Sequence, residues 1–196
     1  MRKTIYLFRH GQTDWNLVRR LQGHSDIPLN EEGRRQAQCL QSFFSENPVE
    51  IMASSDLSRA QQTAAIANEN LNAPTFFSEN FREVFLGDAE GMSQDEILEK
   101  HGEDNWKRWT SHETKHFDFT YLNGESGVEA IERFKKGLLE FCEGEDFTVA
   151  GLCTHGLMLK RFLHSLRPDL QEPLPIPNCV VYRIEWSPEA GFEFKL

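Results

Sequence analysis

Three apolar runs in this chain stop abruptly at polar residues, and this pattern constrains the fold more than any other feature. The runs are residues 4–8, 49–53 and 147–153. Their length and their β-branched and aromatic content are typical of buried strands, and the segments after them carry the apolar period of helices. Strands that alternate with helices predict a mostly parallel central sheet covered on both faces, a three-layer α/β/α sandwich. Two last strands, 179–186 and 192–195, are expected to form a hairpin.

The helices are predicted from their caps and apolar stripes. Asn30 is a good N-cap for a helix that ends near Asn47, and a second helix is expected at residues 57–70. Ser126 opens the longest helix with the spacing of a capping box. Its predicted core-facing stripe consists of Val128, Ile131, Phe134, Leu138, Leu139 and Phe141 or Cys142. A further helix is expected at residues 157–166.

The regular alternation breaks down between residues 80 and 124, where polar and aromatic residues dominate. We expect this stretch to be a cap of helices and loops inserted into a single domain that spans residues 1–196. Within it, Ser93 has capping-box spacing and His101-Gly102 is typical of a helix stop. The cap aromatics are expected to pack together, and some of them to line a pocket and set substrate choice.

Charge and hydropathy argue against several classes of partner. The 21 lysines and arginines against 31 aspartates and glutamates give a net charge of -10, which disfavours nucleic acid and anionic membranes. The mean hydropathy is -0.55, and the apolar runs are far shorter than the roughly 20 residues that span a bilayer. The apolar stretch after Arg2 and Lys3 is too short for a signal peptide. We therefore expect a cytoplasmic protein.

The cysteines and histidines lack the spacing of a structural metal site. The cysteines are Cys39, Cys142, Cys153 and Cys179. They show neither zinc-type pairs nor a disulfide framework, so we expect buried thiols in a reducing compartment. The histidines outside the strand ends, His24, His101, His112, His116 and His164, likewise form no zinc-type cluster.

The polar residues that follow the apolar runs include Arg9, His10, Arg59 and His155. Because the carboxyl ends of parallel strands meet at one edge of a sheet, where ligands bind in open α/β folds, we expect these side chains to converge. Arginine is a permanent, forked cation suited to phosphate, and histidine changes protonation near neutral pH. Gly156 opens a helix and offers its backbone N–H to an anion. The sequence therefore predicts a phosphate site, for which Glu83 is the best-placed proton donor.

Five segments in this order resemble the motifs of the histidine phosphatase superfamily, also called the phosphoglycerate mutase-like family. They are Arg9-His10-Gly11-Gln12-Thr13-Asp14-Trp15-Asn16, Gln22-Gly23-His24-Ser25-Asp26-Ile27-Pro28-Leu29, Ser54-Ser55-Asp56-Leu57-Ser58-Arg59-Ala60-Gln61-Gln62-Thr63-Ala64, Arg82-Glu83 and Thr154-His155-Gly156. The match spans nearly the whole chain, and five ordered segments are very specific.

The resemblance implies a role for each residue. His10 is expected to be the nucleophile, Glu83 the proton donor, and Arg9, Arg59 and His155 the residues that bind the phosphoryl group. Further phosphate contacts are expected from Asn16, Gln22, Gly23 and the amide of Gly156. No metal or cofactor is required. His10 must stay unprotonated, whereas His155 is expected to stay protonated beside phosphate, and we expect an activity optimum on the acidic side of neutrality.

The preferred reading is a metal-independent phosphatase that hydrolyses small phosphomonoesters through a phosphohistidine. The main alternative is a bisphosphoglycerate-dependent phosphoglycerate mutase. Gln22-Gly23 resembles the phosphatase branch, since mutases tend to have threonine before this glycine, and the cap lacks the longer insertion typical of mutases. A non-catalytic module that binds phosphorylated ligands is a third alternative. The sequence leaves open the substrate and a homodimer formed through the last hairpin or an exposed sheet edge.

Overall fold

Six strands form the central sheet of this protein, whose computed structural model describes residues 2–195. They are β1 (Lys3–Arg9), β2 (Ile51–Ser55), β3 (Thr75–Ser78), β4 (Val149–Thr154), β5 (Val181–Ser187) and β6 (Gly191–Phe194). Their order in the sheet is β3-β2-β4-β1-β5-β6. β1, β2, β3 and β4 pair in parallel, whereas β5 and β6 form an antiparallel hairpin at one edge. The mostly parallel sheet and the last hairpin predicted from the sequence are confirmed.

Seven α-helices surround the sheet in the described part of the chain. They are α1 (Asp14–Leu17), α2 (Glu31–Glu46), α3 (Ser58–Asn68), α4 (Gln94–His101), α5 (Glu103–Thr110), α6 (Gly127–Gly144) and α7 (Gly156–Leu166). The predicted N-caps hold: the side chain of Asn30 accepts from the amide of Gly33, and Ser126 forms a capping box with Glu129. None of these helices is long and apolar enough to cross a bilayer.

Strand β1 shows why the sheet is covered on both faces. Successive side chains of a strand point to opposite faces, so Ile5 and Leu7 pack into a core with α6 and α7. Phe8 points the other way, into a second core with Phe44 of α2 and Ala64 of α3. The strand is therefore buried on both sides, which gives the three-layer arrangement expected from the sequence.

The register of the parallel strands sets where the site forms. Arg9 at the end of β1 pairs with Thr154 at the end of β4, and Ser54 of β2 pairs with Cys153. The amide of His10 then donates to the carbonyl of Thr154 at 3.0 Å. The carboxyl ends of the three central strands therefore meet, and the residues after them share one edge of the sheet.

The predicted apolar stripe of α6 is wrong at two positions. Val128 and Leu139 are 45% and 40% exposed, whereas the other predicted members are buried. Two glycines face the core beside the stripe instead. A Cβ at Gly127 would lie 2.8 Å from Nη1 of Arg161, and one at Gly137 would lie 2.5 Å from Cβ of Asn80. The helix approaches its neighbours closely along this glycine face, and that turns Val128 and Leu139 towards solvent.

Residues 80–124 lie between β3 and α6 and contain α4, α5 and three-residue 3-10 turns. The capping box at Ser93 and the helix stop at Gly102, where φ is +82°, match the sequence prediction. Apolar side chains of this segment join the core formed with α6 and α7, among them Leu86, Ile97, Trp109, Phe117 and Tyr121. The segment thus packs onto one face of the sheet.

One smaller expectation needs correction. Cys142 and Cys153 are buried as predicted and Cys179 is partly buried, but Cys39 is exposed because it lies on the solvent side of α2. Close to the site, α1 is a single turn that Thr13 and Asn16 close with a capping box.

Candidate active site

A cavity of about 300 Å³ opens at the carboxyl ends of the central strands. Eight of the nine predicted site residues line it: Arg9, His10, Asn16, Gln22, Gly23, Arg59, Glu83 and Gly156. The ninth, His155, lies directly against His10, with 5.1 Å between the two ring centroids. The structure therefore brings together every residue that the sequence placed at the site, although those residues come from five separate segments.

The imidazole of His10 is held in one tautomer. Its Nδ1 lies 2.6 Å from the carbonyl oxygen of Gly11, and because a carbonyl can only accept, Nδ1 carries the proton. Nε2 is therefore unprotonated and keeps its lone pair. The residue is 2% exposed, and burial, followed by the charges of Arg59 and Arg9, lowers the pKa of His10 well below 6.5. His10 is a neutral imidazole with Nε2 free for nucleophilic attack.

His155 has the opposite tautomer. Nε of Arg59 donates to its Nδ1 at 3.2 Å, so the proton of the neutral ring lies on Nε2. This buried Nε2 has no hydrogen-bond partner within residues 2–195. Burial, followed by the charge of Arg59, lowers the pKa of His155 well below 6.5. With only the residues of the site around it, the His155 ring is therefore neutral and offers one N–H donor. The expected protonation of His155 beside a bound phosphate stays a prediction.

Arg59 is fully buried and held on three sides. Besides its bond to His155, it donates from Nη1 to the carbonyl of Ser25 at 2.8 Å and from Nη2 to that of Gly23 at 2.7 Å. Burial lowers the pKa of Arg59 to about 10, so the guanidinium stays charged at neutral pH. Gly23 has a φ of +53°, and a Cβ there would overlap the carboxylate of Glu90, so a glycine is favoured at this position.

Arg9 lines the cavity and is fixed by its contacts with the backbone. Its Nη1 donates to the carbonyl of Ile176 at 2.6 Å, and its buried Nε has no partner within the described chain. A Cβ at Gly156 would lie 3.0 Å from that Nε, so the arginine packs directly on the first residue of α7. Arg9 and Arg59 thus present two fixed cations to the same cavity, and within residues 2–195 the buried Nε of Arg9 is an unpaired donor.

A residue that the sequence analysis gave no role, Thr13, orients two of the predicted phosphate contacts. Its amide donates to Oδ1 of Asn16 at 3.1 Å, and its hydroxyl lies 3.1 Å from Oε1 of Gln22. Both amide oxygens are therefore turned towards Thr13. Since Asn16 and Gln22 line the cavity, their NH2 groups are left to serve as donors to a bound phosphoryl group. Thr13 belongs to the first motif, but its orienting role depends on which way the amides of Asn16 and Gln22 turn. The spacing of residues in the sequence does not show this.

We expect Thr13→Val to lower kcat/KM for a phosphate ester about tenfold, mainly through KM, because Gln22 loses the partner that fixes its amide. Steady-state kinetics with p-nitrophenyl phosphate measure this. The matched control is Thr148→Val, which changes an exposed threonine just before β4, at its opposite end. Equal kinetics for Thr13→Val and the wild type would contradict the orienting role.

The carboxylate of Glu83 is fixed at the N-terminus of α7. Oε1 accepts from the amides of Met158 at 2.7 Å and Val84 at 3.0 Å, and Oε2 accepts from the amide of Leu157 at 3.0 Å. The helix dipole favours a negative charge at this point. Glu83 therefore occupies most of the helix terminus, and of the first three amides of α7 only that of Gly156 remains for a bound anion.

The backbone beneath Glu83 is also held firmly. Its carbonyl accepts from Nε2 of His24 at 2.8 Å and from Nη2 of Arg133 at 3.0 Å. Arg133 forms an ion pair with the carboxylate of Glu125. The hydroxyl of Thr154, at the end of β4, donates to the carbonyl of Phe81 at 2.9 Å. Glu83 is thus tied to the sheet edge that carries His155, which explains how a residue of the cap segment reaches the site.

The outer part of the cavity is mostly apolar. Its apolar lining residues are Leu21, Leu86, Trp106, Trp109, Leu157 and Ile176. Two basic residues, Arg20 and Lys160, lie among them, and we call this region the outer chamber. Trp106 and Trp109 confirm that some cap aromatics line the pocket. No three His, Cys, Asp or Glu side chains within residues 2–195 are grouped in a way that could hold a metal ion.

Buried neutral histidines make the stability of the fold depend on pH. The pKa of His10 and of His155 lies well below 6.5, and burial, with the charges of His112 and Lys160, lowers that of His164 to about 4. Each residue titrates near 6.5 in the unfolded chain. Below that pH the unfolded state binds more protons, so the stability present above pH 6.5 is lost as the pH falls.

We expect the free energy of unfolding to fall between pH 6.5 and 5.5 by about 1 kcal/mol for each of the three histidines, because each unfolded imidazole is already half protonated at pH 6.5. Urea unfolding at several pH values measures this change. His164→Gln keeps an acceptor for the amide of Leu174, which bonds Nε2 of His164 at 3.2 Å, and removes one titrating group. In this variant, the change in the free energy of unfolding with pH should therefore be about one third smaller than in the wild type. A flat unfolding free energy over this range would contradict the assignment of neutral buried rings.

The comparison with known proteins agrees with the geometry of the site. A model of the histidine phosphatase superfamily (branch 1) matches residues 5–195. The chain belongs to this superfamily. Its fold is that of the histidine phosphatases, and it is an enzyme of the phosphatase or mutase type.

Similar histidine phosphatases include both types of enzyme. The chain is 32% identical to the uncharacterized phosphatase PhoE of Bacillus subtilis over 94% of this chain and 89% of that protein. It is 31% identical to the probable phosphoglycerate mutase GpmB of Escherichia fergusonii over 93% of this chain and 85% of that protein. The solved structure of YhfR from Bacillus stearothermophilus superposes with a TM-score of 0.87 at 27% identity, covering 99% and 96% of the two chains.

Proposed function

We propose that this histidine phosphatase is a metal-independent phosphatase that hydrolyses small phosphomonoesters through a phosphohistidine on His10. Nε2 of His10 attacks phosphorus, an N–P bond forms and the P–O bond to the leaving group breaks. Glu83, protonated in the substrate complex, gives its proton to the departing oxygen and becomes a carboxylate. Water then attacks the phosphohistidine while Glu83 takes its proton. Phosphate leaves, and both side chains return to their starting states.

The tautomer of His10 is the observation that carries this proposal. A nucleophilic imidazole needs an unprotonated nitrogen, and the bond from Nδ1 to the carbonyl of Gly11 leaves Nε2 in that form. The same bond stabilises the phosphorylated ring, because Nδ1 keeps its proton when Nε2 carries phosphorus. Oε2 of Glu83 accepts only one of the three amide bonds described above, so it has a lone pair free to carry the transferred proton.

The remaining groups are suited to charge on the phosphoryl oxygens. Arg9 and Arg59 are fixed cations, and within residues 2–195 the buried Nε2–H of His155 is an unpaired donor. The oxygens of Asn16 and Gln22 turn towards Thr13, which leaves their NH2 groups for the phosphoryl group. Preorganised donors stabilise a transition state because they need no reorientation as charge develops. In phosphoryl transfer this is the main task of the protein.

The outer chamber favours a phosphatase over a mutase. A phosphoglycerate mutase has to hold a small substrate that is polar throughout, and to return the phosphoryl group to another oxygen of it. Here apolar side chains, two of them tryptophans, form most of the chamber beyond the phosphoryl site. Such walls suit a leaving group with an apolar body. The similarity to GpmB keeps the mutase as the second candidate.

Activity measurements separate the two candidates. A phosphatase is expected to release inorganic phosphate from p-nitrophenyl phosphate and other phosphomonoesters in the presence of a chelator, with no need for a bisphosphate. A mutase would interconvert the two monophosphoglycerates and would depend on bisphosphoglycerate. A protein that binds phosphate esters saturably but neither releases phosphate nor interconverts phosphoglycerates would contradict both candidates. That result would favour a binding module.

A further inference from the structure

Lys160 lies on the wall of the cavity but has no role in the proposed chemistry. It follows Gly156 by four residues on α7, so the two residues share one face of the helix and both line the cavity. Its Nζ donates to the carbonyl of Thr110 at 2.7 Å, which fixes the ammonium group beside α5. An ammonium has three donors, so two of them remain for another partner.

Within residues 2–195, no carboxylate forms an ion pair with Lys160. Burial, followed by the charge of Arg161, lowers the pKa of Lys160, and in the described chain no carboxylate opposes this effect. Arg20, the other cation of the outer chamber, differs because Glu96 lies 3.3 Å from its guanidinium. The only carboxylate that lines the cavity within residues 2–195 is Glu83, and three amides already hold it.

A partly buried ammonium without a counter-ion is costly unless a ligand supplies the opposite charge. We infer that Lys160 binds a second anionic group, a carboxylate or a phosphate, on the leaving group of the substrate, and so sets the specificity of the phosphatase proposed above. The phosphoryl group to be transferred lies at His10, and the second anion lies at the α7 wall of the outer chamber.

The residues that line the outer chamber indicate the chemical character of the part of the substrate that lies between the two anionic groups. Trp106, Trp109 and Leu157 are apolar residues that line the same cavity as Lys160, and Lys160 donates to the carbonyl of Thr110, the residue after Trp109. Trp109 is itself held by Arg161, whose guanidinium carbon lies 4.2 Å from the centre of its ring. A rigid aromatic wall of this kind packs against a planar or aliphatic body. The substrate class is therefore a phosphomonoester whose leaving group combines an apolar body with an anionic end.

Two matched esters test this inference. The probes are 4-(carboxymethyl)phenyl phosphate and its neutral amide, 4-(carbamoylmethyl)phenyl phosphate, which have similar size and similar leaving groups. We expect the wild type to prefer the acid at least about tenfold in kcat/KM. Lys160→Met should bring this ratio close to one while the rate with the amide stays within about threefold of the wild type. Lys136→Met, at an exposed position of α6, is the matched control.

The charge can also be reversed. Lys160→Glu is expected to disfavour the acid and to raise kcat/KM for 4-(2-aminoethyl)phenyl phosphate relative to the amide. A similar loss of activity towards the acid and the amide in Lys160→Met, or no preference for the acid in the wild type, would overturn the inference. Either result would leave the proposed phosphatase intact if the amide is hydrolysed by the wild type and not by His10→Ala.

If neither ester is hydrolysed, the proposed phosphatase fails, but the role of Lys160 is still tested by binding. Calorimetric titration of each ester into His10→Ala protein should then show tighter binding of the acid, and this difference should disappear in the His10→Ala, Lys160→Met double variant. Equal binding of the two esters, or no binding of either, would overturn the inference about Lys160.

Discussion

Replacing His10 with alanine is expected to lower kcat with p-nitrophenyl phosphate at least about 10⁴-fold, because the group that forms the covalent intermediate is removed. Arg9 and Arg59 stay in place, so phosphate esters should still bind. Steady-state kinetics measure the loss, and calorimetry measures the retained binding. The combination of lost turnover and kept affinity assigns the effect to chemistry and not to unfolding.

A histidine away from the cavity provides the control for this variant. His116 lies in a short 3-10 turn and does not line the pocket, so His116→Ala should keep activity within about twofold of the wild type. A loss smaller than about 100-fold in His10→Ala would contradict the role of His10 as nucleophile, since a residual rate of that size requires another attacking group.

Glu83→Gln is expected to have the second largest effect, and its size should depend on the leaving group. An alkoxide needs a proton as it departs, so kcat/KM for an alkyl phosphate should fall about 10³-fold. p-Nitrophenolate leaves without help, so kcat/KM for p-nitrophenyl phosphate should fall less than about tenfold. Because kcat/KM reports on steps up to phosphorylation of the enzyme, it separates this role from the later role of Glu83 with water.

Glu90 offers a matched control for Glu83. Its carboxylate also accepts from backbone and side-chain donors nearby, including the amide of His24 at 2.6 Å and the hydroxyl of Ser25 at 2.8 Å, but it does not line the cavity. Any loss in Glu90→Gln should be the same for alkyl and aryl esters. An equal loss with both esters in Glu83→Gln would show that Glu83 acts only as a structural anchor.

The position of the site could be predicted from the sequence because local signals and topology agree. Arg9 and His10 lie where β1 ends, and Thr154 and His155 lie where β4 ends, so a parallel sheet brings them to one edge. Their convergence needs no knowledge of side-chain contacts. Glu83 was predicted on weaker grounds, and the structure shows why it reaches the site: three amides hold its carboxylate, and His24 and Arg133 hold its carbonyl.

The protonation states and the specificity of the site could not be predicted in this way. The neutral form of His155 depends on its burial and on the direction from which Arg59 approaches Nδ1. The part played by Thr13 depends on which way two amides turn. Lys160 could not be predicted because it belongs to no motif. Its proposed role follows from the structure, which places it on the cavity wall with no carboxylate of the described chain beside it.

The most direct test of the central claim is to trap the phosphorylated enzyme. Glu83→Gln protein should react rapidly with p-nitrophenyl phosphate but should hydrolyse the intermediate slowly, because the base that activates water is lost. Quenching in alkali, where phosphohistidine is stable, followed by peptide mass spectrometry should then place one phosphoryl group on His10. A burst of p-nitrophenol with no phosphoryl group on His10, or with the group on another residue, would contradict the mechanism.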